Sequence, residues 1–125
     1  DETRGIRDRL NLGHTVGHAM EAASDFRWKH GDAVAAGLAV ALTLGGRLGS
    51  CSSAFVARGR ELLEALGLPW RPDLPWDELL PFLGIDKKFR CGQCRFVLPV
   101  EGARCKVRPL SLGELEEAYE ETMRL

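Results

Sequence analysis

The chain has 125 residues, 45% of them hydrophobic, and its 17 Lys and Arg against 18 Asp and Glu leave a net charge of −1. That is enough apolar material for one domain over residues 1–125, with a core that needs no disulfide or metal staple. The near-neutral balance, without any block of like charge, argues against a nucleic-acid or anionic-membrane surface and for a small-molecule partner.

The first element is a helix over about Ile6 to Ser24, predicted from Ile6, Leu10, Val16, Met20 and Ala23 at three-, four- and six-residue intervals. Asp25 to Lys29, with Phe26 and Trp28, reads as a polar turn. A second helix follows from about Gly31 to Leu48. It is apolar on nearly every side and rich in Ala and Gly, which places it at the centre of the fold. Its longest apolar stretch, Ala33 to Leu44, is shorter than the roughly 20 residues of a bilayer span.

Ser52 or Ser53 caps a third helix through Leu66, and Gly67 ends it. Leu68 to Pro75 is a rigid connector, and Pro75 suits the start of a short helix over Trp76 to Leu83. Arg95 to Val100 and Arg104 to Arg108, around a Glu101-Gly102 turn, form a small β-hairpin near residues 95–108. Ser111-Leu112-Gly113-Glu114 is a capping box opening a last helix to about Arg124. The expected class is therefore mainly α with one hairpin.

Of the four cysteines, Cys91 and Cys94 stand at C-x2-C spacing, but the second pair of a zinc ribbon is absent. Ordinary reduced thiols are the expectation, and Cys105 is placed to approach Cys91 or Cys94 across the hairpin. The sequence opens on Asp1-Glu2-Thr3-Arg4, without Met or a leader-like segment, so a cytoplasmic protein cut from a longer one is expected.

Chemistry concentrates in the only three histidines, His14, His18 and His30, which lie within 17 positions. His14 and His18 share a helix face at i,i+4 spacing. Neutral imidazoles suit zinc and similar divalent ions, and a catalytic centre takes three protein ligands plus an open position. A metalloprotease H-E-x-x-H reading fails, because Thr15, Val16 and Gly17 supply no Glu between the two. Two divisions of labour stay open on spacing alone. All three histidines ligate, or one of the helical pair ligates with His30 while the other hydrogen-bonds and transfers protons.

The segment Arg7-x-x-Leu10-Asn11-x-Gly13-His14-Thr15-x-Gly17-His18-Ala19-x-Glu21, then His30-Gly31-Asp32-Ala33-Val34-Ala35-x-Gly37, then Asp86-Lys87-Lys88 and Arg95-Phe96-Val97-Leu98-Pro99, resembles the carboxy-terminal domain of 3-dehydroquinate synthase. Val16 stands where that family usually carries Phe, and Asp32 where it usually carries Glu. The resemblance implies the helical carboxy-terminal domain of the dehydroquinate synthase-like fold. It also implies an NAD- and divalent-metal-dependent cyclase, using zinc or cobalt, of the shikimate pathway of aromatic amino-acid biosynthesis. Such enzymes turn the sugar phosphate 3-deoxy-arabino-heptulosonate 7-phosphate into 3-dehydroquinate and phosphate, and are commonly homodimers.

Carried over by resemblance, His14 and His30 are metal ligands, and His18 is an active-site group near the reacting hydroxyl. Arg7 grips the substrate carboxylate, Asn11 and Lys88 bind phosphate, and Leu10 contacts substrate through its backbone. The family's third ligand, a Glu, and its NAD site belong to an amino-terminal domain that these residues do not contain. Metal binding by this chain alone is then expected to be weak unless Glu21, Asp25, Asp32 or water substitutes, and the chain alone is expected to be inactive. Two other readings are a sister sugar-phosphate cyclase, against which the Asp86-Lys87-Lys88 triplet argues, and a noncatalytic helical module that binds metal or a partner.

Overall fold

The computed structural model describes residues 14–49, 51–84, 93–100 and 104–125. Among them are five helices: α1 (His14–Ala23), α2 (His30–Arg47), α3 (Ser53–Ala65), α4 (Trp76–Gly84) and α5 (Leu112–Arg124). Two strands, β1 (Gln93–Val100) and β2 (Arg104–Ser111), pair antiparallel. The mainly helical class and the hairpin are as expected, and none of the described helices is long and apolar enough to cross a membrane.

Local signals set the boundaries. The Ser52 hydroxyl accepts from Phe55 N–H, so Ser52 rather than Ser53 is the cap of α3. Gly67 follows the helix at φ +73°, the left-handed conformation that a residue lacking Cβ adopts most readily. At α5 the capping box closes both ways: Glu114 N–H donates to the Ser111 hydroxyl, and Ser111 N–H donates to the Glu114 carboxylate. Pro75 immediately precedes α4, its carbonyl accepting from Glu78 N–H.

Helix α2 is the hub, packed against α1, α3, α5 and β1. Its small residues let this happen on two sides. Ala33, Ala36, Val40, Ala41 and Leu44 join the main core with Val16 and Met20 of α1, Leu79 and Leu83 of α4, and Leu115 and Tyr119 of α5. Ala35 and Ala39 face a second cluster with Leu63 and Trp70. Arg47, at the C-terminal end of α2, is fastened to α5 by Glu117 and Glu121 at 2.7 and 2.6 Å.

Trp28 departs from the expected polar turn, for it is buried in the main core. Its indole N–H donates to Asp73 at 2.8 Å, so the one polar atom of the ring is satisfied while the rest is desolvated. Arg27 donates to both oxygens of the same carboxylate at 3.1 and 3.0 Å. Asp73 thereby ties the α1–α2 turn to the connector before α4. The Arg27 hydrogen bond, with help from Trp28, holds the Asp73 carboxyl below its ordinary value. A carboxylate so depressed stabilises the fold fully above its unfolded value near pH ~4, and loses that contribution as pH falls through the lower folded value. Asp73→Asn is therefore expected to flatten the acid limb of stability below about pH 4, as read by urea unfolding at stepped pH. An acid limb identical to that of the unsubstituted chain would remove Asp73 from this role.

Cys51 is buried. The hairpin register pairs Cys94 with Leu110 and Cys105 with Pro99, so these two cysteines are not cross-strand partners. Cys91 and the Glu101-Gly102 turn lie outside the described residues.

Candidate functional site

The site is built where α1 hands the chain to α2. His14 and His18 stand one turn apart on α1, with Glu21 three residues beyond; positions 14, 18 and 21 run down one face. The chain then reverses through Asp25 and Phe26, both left-handed at φ 53° and 63°, and re-enters helix at His30. Two left-handed residues other than Gly in succession are a strained arrangement that needs external support. Phe26 N–H bonds the Glu21 carbonyl at 2.8 Å, the Ser24 hydroxyl bonds the same carbonyl at 3.2 Å, and Trp28 N–H donates to that hydroxyl.

This reversal returns His30 to the face it left. The rings of His18 and His30 lie edge to face with centroids 6.1 Å apart. The Glu21 carboxylate meets His30 Nδ1 at 2.8 Å. Both imidazoles are solvent-accessible, whereas the Glu21 side chain is only 14% exposed.

A close helix crossing makes the approach possible. A Cβ on Gly17 would stand 3.0 Å from the Ala33 carbonyl oxygen and 3.3 Å from its carbon, so glycine lets the backbones of α1 and α2 meet next to the histidines.

Of the residues singled out from sequence, the structure brings His18 and His30 together and places His14 on the same helix as His18. Arg7, Leu10, Asn11 and Lys88 lie outside the described residues. Asp25 is in the left-handed turn and Asp32 in the first turn of α2. Among the described residues, no group of three or more His, Cys, Asp or Glu could hold a metal ion. A metal at His30 would thus draw its other ligands from beyond those described side chains.

Two surface clefts, of about 270 and 180 Å³, lie instead around Thr43, Arg47 and Leu48. That is the far end of α2, roughly 20 Å along the helix from His30 at 1.5 Å per residue. Both are smaller than ordinary small-molecule pockets, and they carry none of the histidine chemistry. Sequence reasoning named Glu21 as a substitute ligand and missed it as the partner of His30. The i,i+3 relation to His18 was the available signal. It also missed Asp73 and the crossing at Gly17, which depend on segments distant in sequence.

The fold has counterparts among known proteins. Residues 1–89 match the family described as 3-dehydroquinate synthase C-terminal. A 3-dehydroquinate synthase of Dehalococcoides mccartyi (strain ATCC BAA-2100 / JCM 16839 / KCTC 5957 / BAV1) is 45% identical over 124 residues, covering 94% of this chain and 34% of that protein. Among solved structures, the 2-epi-5-epi-valiolone synthase of Streptomyces hygroscopicus subsp. jinggangensis 5008, with NAD+ and Zn2+ bound, superposes with a TM-score of 0.78 at 23% identity. The match covers 92% of this chain and 32% of that one. A 2-deoxy-scyllo-inosose synthase complexed with carbaglucose-6-phosphate, NAD+ and Co2+ gives 0.69 at 23% identity, over 89% of this chain and 34% of that one. At such identities the structural likeness speaks for the fold. The chain spans about a third of the length of the curated relatives it matches. On the family match over residues 1–89 and the identity to 3-dehydroquinate synthases, this chain belongs to the 3-dehydroquinate synthase C-terminal family.

Proposed function

We propose that the chain is the metal- and substrate-binding part of a 3-dehydroquinate synthase, a cytoplasmic homodimer in its full-length form. The reaction is the NAD- and metal-dependent cyclisation of 3-deoxy-arabino-heptulosonate 7-phosphate to 3-dehydroquinate with loss of phosphate. The observation that carries this reading is the reversal that sets His30 beside His18, one helical turn after His14.

Imidazole is a donor that suits a borderline divalent ion such as zinc or cobalt. His14 and His30 are the ligands on this side. An ionised carboxylate only accepts hydrogen bonds, so the one on His30 Nδ1 leaves the lone pair of the neutral ring on Nε2, the form a metal takes. A metal bound there would supply Lewis-acid polarisation of a substrate oxygen, and NAD would supply reversible hydride transfer. The chain carries no G-x-G-x-x-G after a strand, so the nicotinamide cofactor is assigned to the remaining two thirds of the protein.

Around that centre the work of this chain is positional. His18, 6.1 Å ring to ring from His30, hydrogen-bonds the reacting hydroxyl and moves its proton. Arg7 offers a planar fork to the substrate carboxylate, Asn11 offers amide donors to phosphate, and Lys88 offers a point charge to the same group. Leu10 contributes backbone contact. The accessible imidazoles suit a surface that becomes a cleft only when the amino-terminal part closes over it.

In the full-length protein with NAD+, cobalt and substrate, phosphate release is expected at enzyme-like rates, and His18→Ala is expected to lower it about 100- to 10,000-fold. The 125-residue chain alone is expected to release none. Phosphate release by the chain alone would overturn the division of labour, and a different carbocycle as product would favour a sister sugar-phosphate cyclase. The 45% identity to a 3-dehydroquinate synthase, against 23% to the two other cyclases, supports dehydroquinate as that product.

A further inference from the structure

We propose that Glu21 is a positioning residue for the metal centre, fixing the tautomer and ring orientation of His30 before any metal arrives. This rests on the reading of His30 as a ligand.

Three observations converge on it. First, the Glu21 Oε1 to His30 Nδ1 separation is 2.8 Å, within ordinary hydrogen-bonding range. Second, the two partners are unequal: the His30 side chain is 65% exposed and that of Glu21 is 14% exposed. The carboxylate is the more buried member, and the exposed imidazole is the member it holds. Third, Glu21 also holds the path that delivers His30. Its backbone carbonyl accepts from Phe26 N–H and the Ser24 hydroxyl, closing the left-handed turn between α1 and α2. One residue thus fixes the turn through its main chain and the ligand through its side chain.

The separation of these two jobs makes the proposal testable. Replacing the Glu21 side chain leaves its carbonyl and the turn bonds in place, so the carboxylate can be removed without dismantling the reversal. Ligand histidines are characteristically oriented in this way, by a carboxylate or carbonyl on the nitrogen away from the metal, and losing that partner lowers metal affinity by about 10- to 100-fold. Gln keeps an acceptor oxygen at the same reach, whereas Ala keeps none. The order of effect follows: Glu21→Gln is mild and Glu21→Ala is severe.

The test uses the 125-residue chain and zinc alone, at about pH 8, above the ordinary imidazole value of ~6.5. Long-range proton–nitrogen NMR spectra of the metal-free chain report which ring nitrogen of His30 bears hydrogen. Zinc titration followed on the His30 ring resonances reports affinity, including weak affinity. The unsubstituted chain and Glu21→Gln are expected to show the Nδ1–H form with affinities within about threefold of each other, and Glu21→Ala to show mixed tautomers with affinity about 10- to 100-fold lower. Loss in Glu21→Gln equal to that in Glu21→Ala would overturn the tautomer role in favour of simple charge. An Nε2–H form in the unsubstituted chain would overturn it directly. His30→Ala, read on the His14 and His18 resonances, separates the two readings. If it binds zinc like the unsubstituted chain, the ligand assignment falls. If it weakens binding while Glu21→Ala does not, only the positioning role falls.

Discussion

Tyr119→Ala is expected to destabilise the fold by about 3–5 kcal/mol, a large part of the ~5–15 kcal/mol that holds an ordinary domain together. Tyr119 is the largest fully buried side chain among the described residues. It joins three segments at once. Its helix, α5, packs on α2; its ring lies 5.5 Å from that of Trp76 at the start of α4; and its hydroxyl donates to the Leu74 carbonyl in the connector. Burial pushes the phenol above its ordinary value, so it remains a neutral donor throughout the working pH range.

Truncation to Ala leaves both a cavity and a carbonyl without its donor. Tyr119→Phe separates the two contributions. It keeps the ring and removes only the hydrogen bond, so it is expected to cost about 1–3 kcal/mol. Urea unfolding of both variants checks this: the midpoints should fall in the order unsubstituted, Phe, Ala, with the denaturant slope unchanged. Equal midpoints for Tyr119→Phe and the unsubstituted chain would mean that the Leu74 carbonyl finds water, and that the connector is held by packing alone.

How much of this was legible in the sequence follows from how local each signal is. Ser111 and Glu114 reveal a helix start because both halves of the capping box lie within one turn, and the structure closes it as expected. Gly67 reveals a helix end for the same reason. The Ala and Gly content of residues 33–46 foretold a helix packed on several sides, since only small residues allow close neighbours in more than one direction. Trp28 was misplaced because its partner, Asp73, is 45 residues away, and nothing in Phe26-Arg27-Trp28 says that the indole turns inward.

The site divides along the same line. The His14 and His18 spacing is local and readable on a helix. That His30 comes back to His18 depends on two left-handed residues, Asp25 and Phe26, neither of them the Gly or Asn that usually marks such a turn. The family resemblance supplied what periodicity could not, by joining the histidine motifs to Arg7, Asn11 and Lys88. Glu21 was visible in that motif. Its hydrogen bond to His30 needed the reversal to be seen first.

Gly17 is the position where a small change is expected to have the largest effect on the site. A Cβ there would sit 3.0 Å from the Ala33 carbonyl oxygen, closer than ordinary van der Waals contact and against backbone that cannot rotate away. Helix propensity favours Ala over Gly by about 1 kcal/mol, so Gly17→Ala is expected to alter overall stability by less than about 1 kcal/mol in either direction. Its effect on the metal centre has no such offset. The two ligands of the proposed site lie on different helices, His14 on α1 and His30 on α2, and metal–ligand distances tolerate only about ±0.2 Å. Moving the helices apart by a few tenths of an ångström uses up that tolerance. Zinc affinity is therefore expected to fall about tenfold in Gly17→Ala with the fold intact. In Gly17→Leu, where overpacking costs about 1–3 kcal/mol, both affinity and stability should fall. Zinc titration beside urea unfolding of the two variants reads the contrast. A Gly17→Ala chain that binds zinc as tightly as the unsubstituted chain would show that the α1–α2 spacing does not set the ligand geometry, and that the glycine serves packing alone.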